Sequence, residues 1–230
     1  MRLLALVLLL CCVNTLAANP QVQFETSRGN FVLELYPDKA PVSVENFLRY
    51  VNNGFYTGTV FHRAIKNFVV QGGGLTESLE SKSTWSPIVN ESNNGLTNDL
   101  GTVAMARGYA PDSATSQFFV NLTDNRFLNY YKKEAGLEGY TVFGRVVKGF
   151  EVLQQISESP TTTVAKLKNV PKEFTVIHTA HLLDTPVLAE KLPLPLVAEA
   201  KPPKAKAASK KKPKQTQSTP KLIKKGKPSG

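Results

Sequence analysis

Thiols are almost missing from this 230-residue chain, whose two cysteines are neighbours at its start, Cys11 and Cys12. If the segment around them is removed, disulfide, metal-thiolate and cysteine-nucleophile chemistry are excluded together. Long apolar stretches are scarce as well: Leu3 to Val13, eleven residues, is too short to span a bilayer. Strands and helices do not alternate strictly, which disfavours a doubly wound parallel sheet. Tryptophan occurs once, at Trp85, in a turn-rich region where packing under a loop is the expected role.

Charge is present, but concentrated. The formal net charge is +10, and residues 187–230 hold twelve lysines against two glutamates, so the excess sits in that segment and the rest is close to neutral. Such a Lys, Pro and Ala-rich stretch cannot bury enough apolar surface to offset its chain entropy, so a disordered basic tail is expected there. The plain reading is a solvated extension. The sharper one is adhesion to an anionic envelope surface, at roughly 1 kcal/mol per nearby lysine. The tail has no aromatic residue on which bases could stack, and no nucleic-acid partner is expected.

At the other end, Met1-Arg2, the apolar run and the small residues Thr15, Ala17 and Ala18 are the three parts of a secretory signal peptide, with cleavage expected after Ala17. Acylation of a cysteine is disfavoured, because Leu10 and Cys11 precede the two candidates where a small residue is needed. The chain thus divides into a leader at 1–17, a domain at 18–186 and the tail at 187–230, and export is expected. Asn90-Glu91-Ser92 and Asn121-Leu122-Thr123 match the glycosylation pattern, but Asn121 ends an expected strand, so that match reads as accidental.

Within the domain, residues 21–27 and 31–36 alternate around Arg28-Gly29-Asn30, as a hairpin does. Pro41 opens a run with Val44, Phe47, Leu48 and Val51 at helical spacing and Gly54 beyond it. Residues 75–100 read as mainly loop and surface. Strands are expected at 101–107, 117–122, 141–147 and 174–183, with a short helix at 149–157. Many short strands and two helices suit a mostly β, antiparallel fold.

Chemistry concentrates in two stretches. Val60 to Gly73 sets Arg63, Phe68 and Gln71 between two short apolar runs that stop at Gly72, Gly73 and Gly74. A strand rarely carries an arginine unless its charge is paired or reaches the surface. By itself that stretch is best read as a strand-end salt bridge. The second stretch, Ser113 to Asn121 with Gln117 and Phe119, is followed by Phe127-Leu128 and by Tyr140 to Gly144. In this order and spacing the segments resemble the cyclophilin family of peptidyl-prolyl cis-trans isomerases, over about Gln21 to Asp184.

The resemblance implies a closed eight-stranded antiparallel barrel capped by two α-helices, an isomerase of X-Pro bonds, proline-containing polypeptides as partners, and no cofactor or metal. Arg63, Phe68, Gln71, Ala106, Gln117, Phe119 and Leu128 match the family's site pattern. Four positions depart from it. Val69 stands in place of a common Met, and Arg107 in place of an Asn that acts through its backbone. Phe127 stands where many animal members have Trp, so only weak cyclosporin binding is expected, and Tyr140 takes the place of a pocket His. As a set, these departures look like the bacterial periplasmic branch, the isomerase A type, in agreement with the leader.

On that reading Arg63 and Gln71 are the catalytic pair, and Phe68, Phe119 and Leu128 form the socket for the proline ring. Val69, Ala106, Arg107, Gln117, Phe127 and Tyr140 complete the substrate surface. No nucleophile is needed, and the isolated His62 reads as structural. Two other functions compete with an isomerase for exported proteins: a module that binds proline segments without turnover, and an envelope-interaction protein acting through its tail.

Overall fold

The computed structural model describes residues 18–134 and 137–192. The expected leader and the tail beyond Leu192 lie outside the described residues. β1 (Gln21–Thr26) and β2 (Gly29–Leu35) form the expected hairpin, with Phe24 opposite Phe31 and their rings stacked 4.9 Å apart. α1 (Pro41–Asn52) comes next. Pro41 fixes the first helical φ, and the open N–H groups of Val42 and Ser43 donate to the Glu91 carboxylate at 3.0 and 2.8 Å. The anion also complements the positive end of the helix dipole.

Then come β3 (Phe61–Ile65), β4 (Val69–Gly72), β5 (Thr102–Met105), β6 (Phe118–Asn121), β7 (Val142–Lys148), α2 (Phe150–Glu158), β8 (Thr161–Val164), β9 (Leu167–Pro171) and β10 (Ile177–Leu182). Eight of them form one antiparallel sheet in the order β10-β1-β2-β7-β5-β6-β4-β3. Phe47 of α1 drops onto it, its ring 5.0 Å from Phe143 and 5.6 Å from Phe118. Val44, Tyr50 and Val51 of the same helix are buried beside it. Val152, Leu153 and Ile156 place α2 against the same core.

The expected closed barrel is corrected to an open, half-barrel sheet. Its edge strands β3 and β10 are joined by no ladder; the residues leading into them meet where Val60 bridges Val176, with Ile177 N–H donating to the Thr59 carbonyl at 2.8 Å, Gly58 N–H to the Ile177 carbonyl at 2.8 Å and Phe61 N–H to the Thr175 carbonyl at 3.1 Å. The reason is stagger. In antiparallel register about that bridge, β10 runs on beside residues before Thr59, and β3 beside residues before Thr175, so neither strand opposes the other along its length.

Two other regions depart from expectation. The hairpin β8–β9 gives no sequence signal because every residue of Thr161–Val164 is exposed, so no buried face imposes alternation. The loop 75–100 is not only surface: Leu75, Ser92 and Asn98 are buried, whereas Trp85 lies outside α1, 4.5 Å from the Tyr50 ring and under the Arg49 guanidinium. The first residues past 186 are also held. Val187 N–H donates to Gln21 Oε1 at 2.7 Å, Glu190 N–H to the Val147 carbonyl at 2.7 Å, and Leu192 packs beside Gly101.

Alternation along β4, β5 and β6 gives this part of the sheet two apolar faces. Val70, Val103, Met105, Phe118 and Val120 join the main core, while Val69, Ala104 and Phe119 join Val142 in a separate apolar cluster on the opposite face. Phe68, Ala106, Leu128 and Tyr140 pack against that second cluster, and the site is built there.

Candidate functional site

β3 and β4 set Arg63 directly opposite Gln71, and β6 brings Phe119 opposite Gln71 on its other side. The Arg63 Nη1 donates to Gln71 Oε1 at 3.2 Å, and Gln71 Nε2 donates to Gln117 Oε1 at 3.0 Å. This directional chain holds the guanidinium fork, which no carboxylate pairs among the described residues. Half-burial pushes the Arg63 pKa downward, but a guanidinium starts so high that it stays charged near neutrality.

The glycines after Gln71 make room for the chain. Gly73 sits at φ +80, where a Cβ would strike the Phe118 and Tyr56 rings at 2.9 Å. Gly74 leaves the space occupied by the Gln117 side chain, which any Cβ there would overlap. The triple glycine therefore does more than end a strand.

Phe68 lies in the three-residue connection from Ile65 to Val69, a tight loop in which Asn67 takes φ +55. Its carbonyl accepts from Leu122 N–H at 2.8 Å and Asn125 Nδ2 at 3.0 Å, which fixes the ring 5.7 Å from the Arg63 guanidinium carbon. Leu128 ends a single 3-10 turn (Arg126–Leu128), and its carbonyl accepts from Tyr140 N–H at 2.9 Å. The Tyr140 ring meets Phe119 edge-on at 5.5 Å. The Arg107 guanidinium lies over the Tyr140 ring, its carbon 4.8 Å from the centroid, and donates from Nε to the Gly139 carbonyl at 3.0 Å.

Together these groups line a groove of about 250 Å³. Arg63 and Gln71 form its polar wall, Phe68, Val69, Phe119 and Leu128 its apolar floor, and Ala106, Arg107 and Tyr140 its far side. Nine of the eleven residues singled out from the sequence are thus brought to one surface. Gln117 stands behind Gln71 rather than in the groove wall. Phe127 is three-quarters exposed and stacks on Phe68 from outside, at 5.7 Å.

Sequence reasoning gave no structural role to three buried asparagines, of which it had singled out only Asn121. Asn125 Nδ2 donates to Asn121 Oδ1 at 2.8 Å, Asn121 Nδ2 to Asn98 Oδ1 at 3.2 Å, and Asn98 Nδ2 to the Leu128 carbonyl at 3.1 Å. They tie the backbones of Phe68 and Leu128 to one another beneath the groove. Buried amides demand such partners, so polar residues inside an otherwise apolar run, as Asn121 is after Val120, were the available signal. Asn121 is fully buried and cannot be a glycan acceptor.

His62, next to Arg63, is almost fully buried, and its Nδ1 has no hydrogen-bond partner among the described residues. Burial lowers its pKa to about 4, so it is neutral at pH 7.

An apolar groove with the Arg63 guanidinium held at its rim by Gln71 is consistent with the proteins this chain is similar to. Residues 21–182 match the family model described as cyclophilin type peptidyl-prolyl cis-trans isomerase/CLD. The chain is 52% identical over 156 residues to a peptidyl-prolyl cis-trans isomerase of Acinetobacter baylyi, covering 68% of this chain and 81% of that one. It is 50% identical over 162 residues to peptidyl-prolyl cis-trans isomerase A of Dickeya dadantii, covering 70% and 84%. A crystal structure of a Cryptosporidium parvum cyclophilin type isomerase, solved in the presence of the dipeptide Ala-Pro, aligns with TM-score 0.56 and 26% identity over 72% of this chain and 99% of that one. The chain belongs to the cyclophilin-type peptidyl-prolyl cis-trans isomerase family. It is a cyclophilin-type isomerase, with homologues of the bacterial A and B types.

Proposed function

We propose that Arg63 accelerates X-Pro isomerisation by donating to the prolyl nitrogen of the half-rotated bond. X-Pro bonds hold an appreciable cis population, yet exchange without help takes tens to hundreds of seconds. Rotation breaks amide resonance, localises the lone pair on nitrogen and makes it a better acceptor than in either planar isomer. A donor fixed beside it stabilises the twisted state more than the ends, and only such differential binding lowers the barrier.

The observation that carries this reading is the Arg63–Gln71–Gln117 chain, which aims a charged fork over an apolar floor. Phe68, Phe119 and Leu128 receive the proline ring, Val69 closes the floor, and Ala106 and Arg107 offer their backbone to the residues before proline. Tyr140 braces Phe119, and Gln71 anchors the substrate or the fork. Phe127 backs Phe68 from solvent, a thinner wall than Trp would make, which keeps cyclosporin affinity weak. Arg63→Ala should lower kcat/KM at least tenfold while the fold survives. Loss of one comparable donor costs roughly 2.7 to 4 kcal/mol elsewhere. Unchanged efficiency in a folded variant overturns the assignment.

The natural substrates on this reading are exported polypeptides folding outside the cytoplasm, a bacterial periplasm being the compartment that fits the leader-like residues 1–17. The lysine-rich segment adds contact with anionic envelope surfaces. Sedimentation with phosphatidylglycerol vesicles at low and high salt tests this. Removing residues 193–230 should abolish salt-sensitive binding, and undiminished binding rejects a role for the segment.

A further inference from the structure

A second cavity, of about 560 Å³, is lined by all three residues of the Arg63–Gln71–Gln117 chain and shares Arg63 and Gln71 with the groove. Its other wall is the β8–β9 hairpin, which contributes Lys166 and Lys168. Val164 pairs with Leu167, so Ala165 and Lys166 make a two-residue turn, and Ala165 takes φ +51 to close it. The tight turn fixes where both lysines start. Neither forms an ion pair among the described residues, and no carboxylate side chain lines the cavity. His62 also borders it, with an unpartnered Nδ1. The charge of the wall therefore comes from Arg63, Lys166 and Lys168.

Three unneutralised cations around a recess favour an anion, and the recess begins at the residue assigned to the prolyl bond. We propose that this cavity is a flanking subsite that selects client segments carrying an acidic side chain within a few residues of the proline. The inference rests on the catalytic reading of Arg63, since that reading places the client chain at the mouth of the cavity. A glutamate reaching past Gln71 gains charge-assisted contacts that a glutamine lacks, without altering the proline socket.

The test uses the full chain and short peptides containing Ala-Pro, with Glu or Gln placed in turn at each of about three positions on either side. Affinity is read by calorimetry and turnover by exchange spectroscopy on the same peptides. At least one position should show about fivefold tighter binding for Glu than for Gln at low salt, the scale of a few partly exposed charge pairs. In the Lys166→Gln, Lys168→Gln double variant that ratio should fall to about one, as it should at roughly 0.5 M salt where such pairs are screened. The variant keeps the basic C-terminal segment, so a general attraction to that segment would leave the ratio unchanged. A ratio near one at every position in the natural protein, or an unchanged ratio in the variant, overturns the proposal. Glu preference in binding without turnover supports the subsite while contradicting the catalytic reading. Turnover without Glu preference does the reverse.

Discussion

Phe118 and Phe119 are neighbours on β6 and face opposite ways. Phe118 is sealed among Phe24, Phe47, Tyr56 and Phe61, whereas Phe119 stands on the other face, against Tyr140 and the groove. The strands β4, β5 and β6 thus carry a packing face and a working face with the same kinds of residue. Apolar character alone does not separate the two; what separates them is the polar company each face keeps, because only the outer one meets Arg63, Gln71 and Arg107.

The comparison is sharpest when both aromatics are cut. Phe118→Ala should cost about 4 kcal/mol in urea unfolding, and Phe119→Ala about 3 kcal/mol, since Phe119 is also largely buried. Only Phe119→Ala should weaken affinity for an X-Pro peptide by severalfold in protein that remains folded. Equal peptide affinity in the two variants would break the distinction between the faces.

His62 and Arg63 extend it to charge. His62 has a folded pKa of about 4, below its unfolded value of about 6.5, so between those pH values the unfolded chain binds more protons. Stability should be full above pH 6.5 and fall by about 3 kcal/mol as pH drops to 4. His62→Phe should remove that slope, measured by unfolding at stepped pH, and an unaltered slope would assign it to other groups. Activity per folded molecule should stay level from about pH 6 to 9, because Arg63 remains charged there.

The smallest effect is expected at Gly74. A methyl group there must displace the Gln117 side chain, which holds Gln71, which holds Arg63. Gly74→Ala should lower kcat about threefold to tenfold, on the order of 1 kcal/mol of misplaced donor, with little change in the unfolding midpoint. Gln117→Ala should reproduce the loss, and full activity in both variants would mean the chain does not position Arg63.

The outer face was legible in the sequence because its chemistry is written in residues that a strand seldom tolerates. Arg63 and Gln71 stand out against Val69, Val70 and Ala64, and the spacing to Gln117 and Phe119 resolves the family. Helices α1 and α2 were legible from periodicity, with boundaries within a residue or two. What escaped notice depends on distant contacts or lacks a buried face. Glu91 caps α1 from 48 residues away, the asparagine ties join separate loops, and β8 is exposed on both sides. Barrel closure failed for a related reason, since strand composition carries no record of the stagger between β3 and β10.

The measurement that bears most directly on the role of Arg63 is the split between rate and affinity in Arg63→Ala. Exchange spectroscopy on one Ala-Pro peptide gives the bound-state interconversion rate, and titration of the same sample gives Kd. A donor used in the twisted state predicts a rate at least tenfold slower with Kd changed by less than about threefold. An equal fall in affinity with the bound-state rate preserved would show that Arg63 merely holds the substrate.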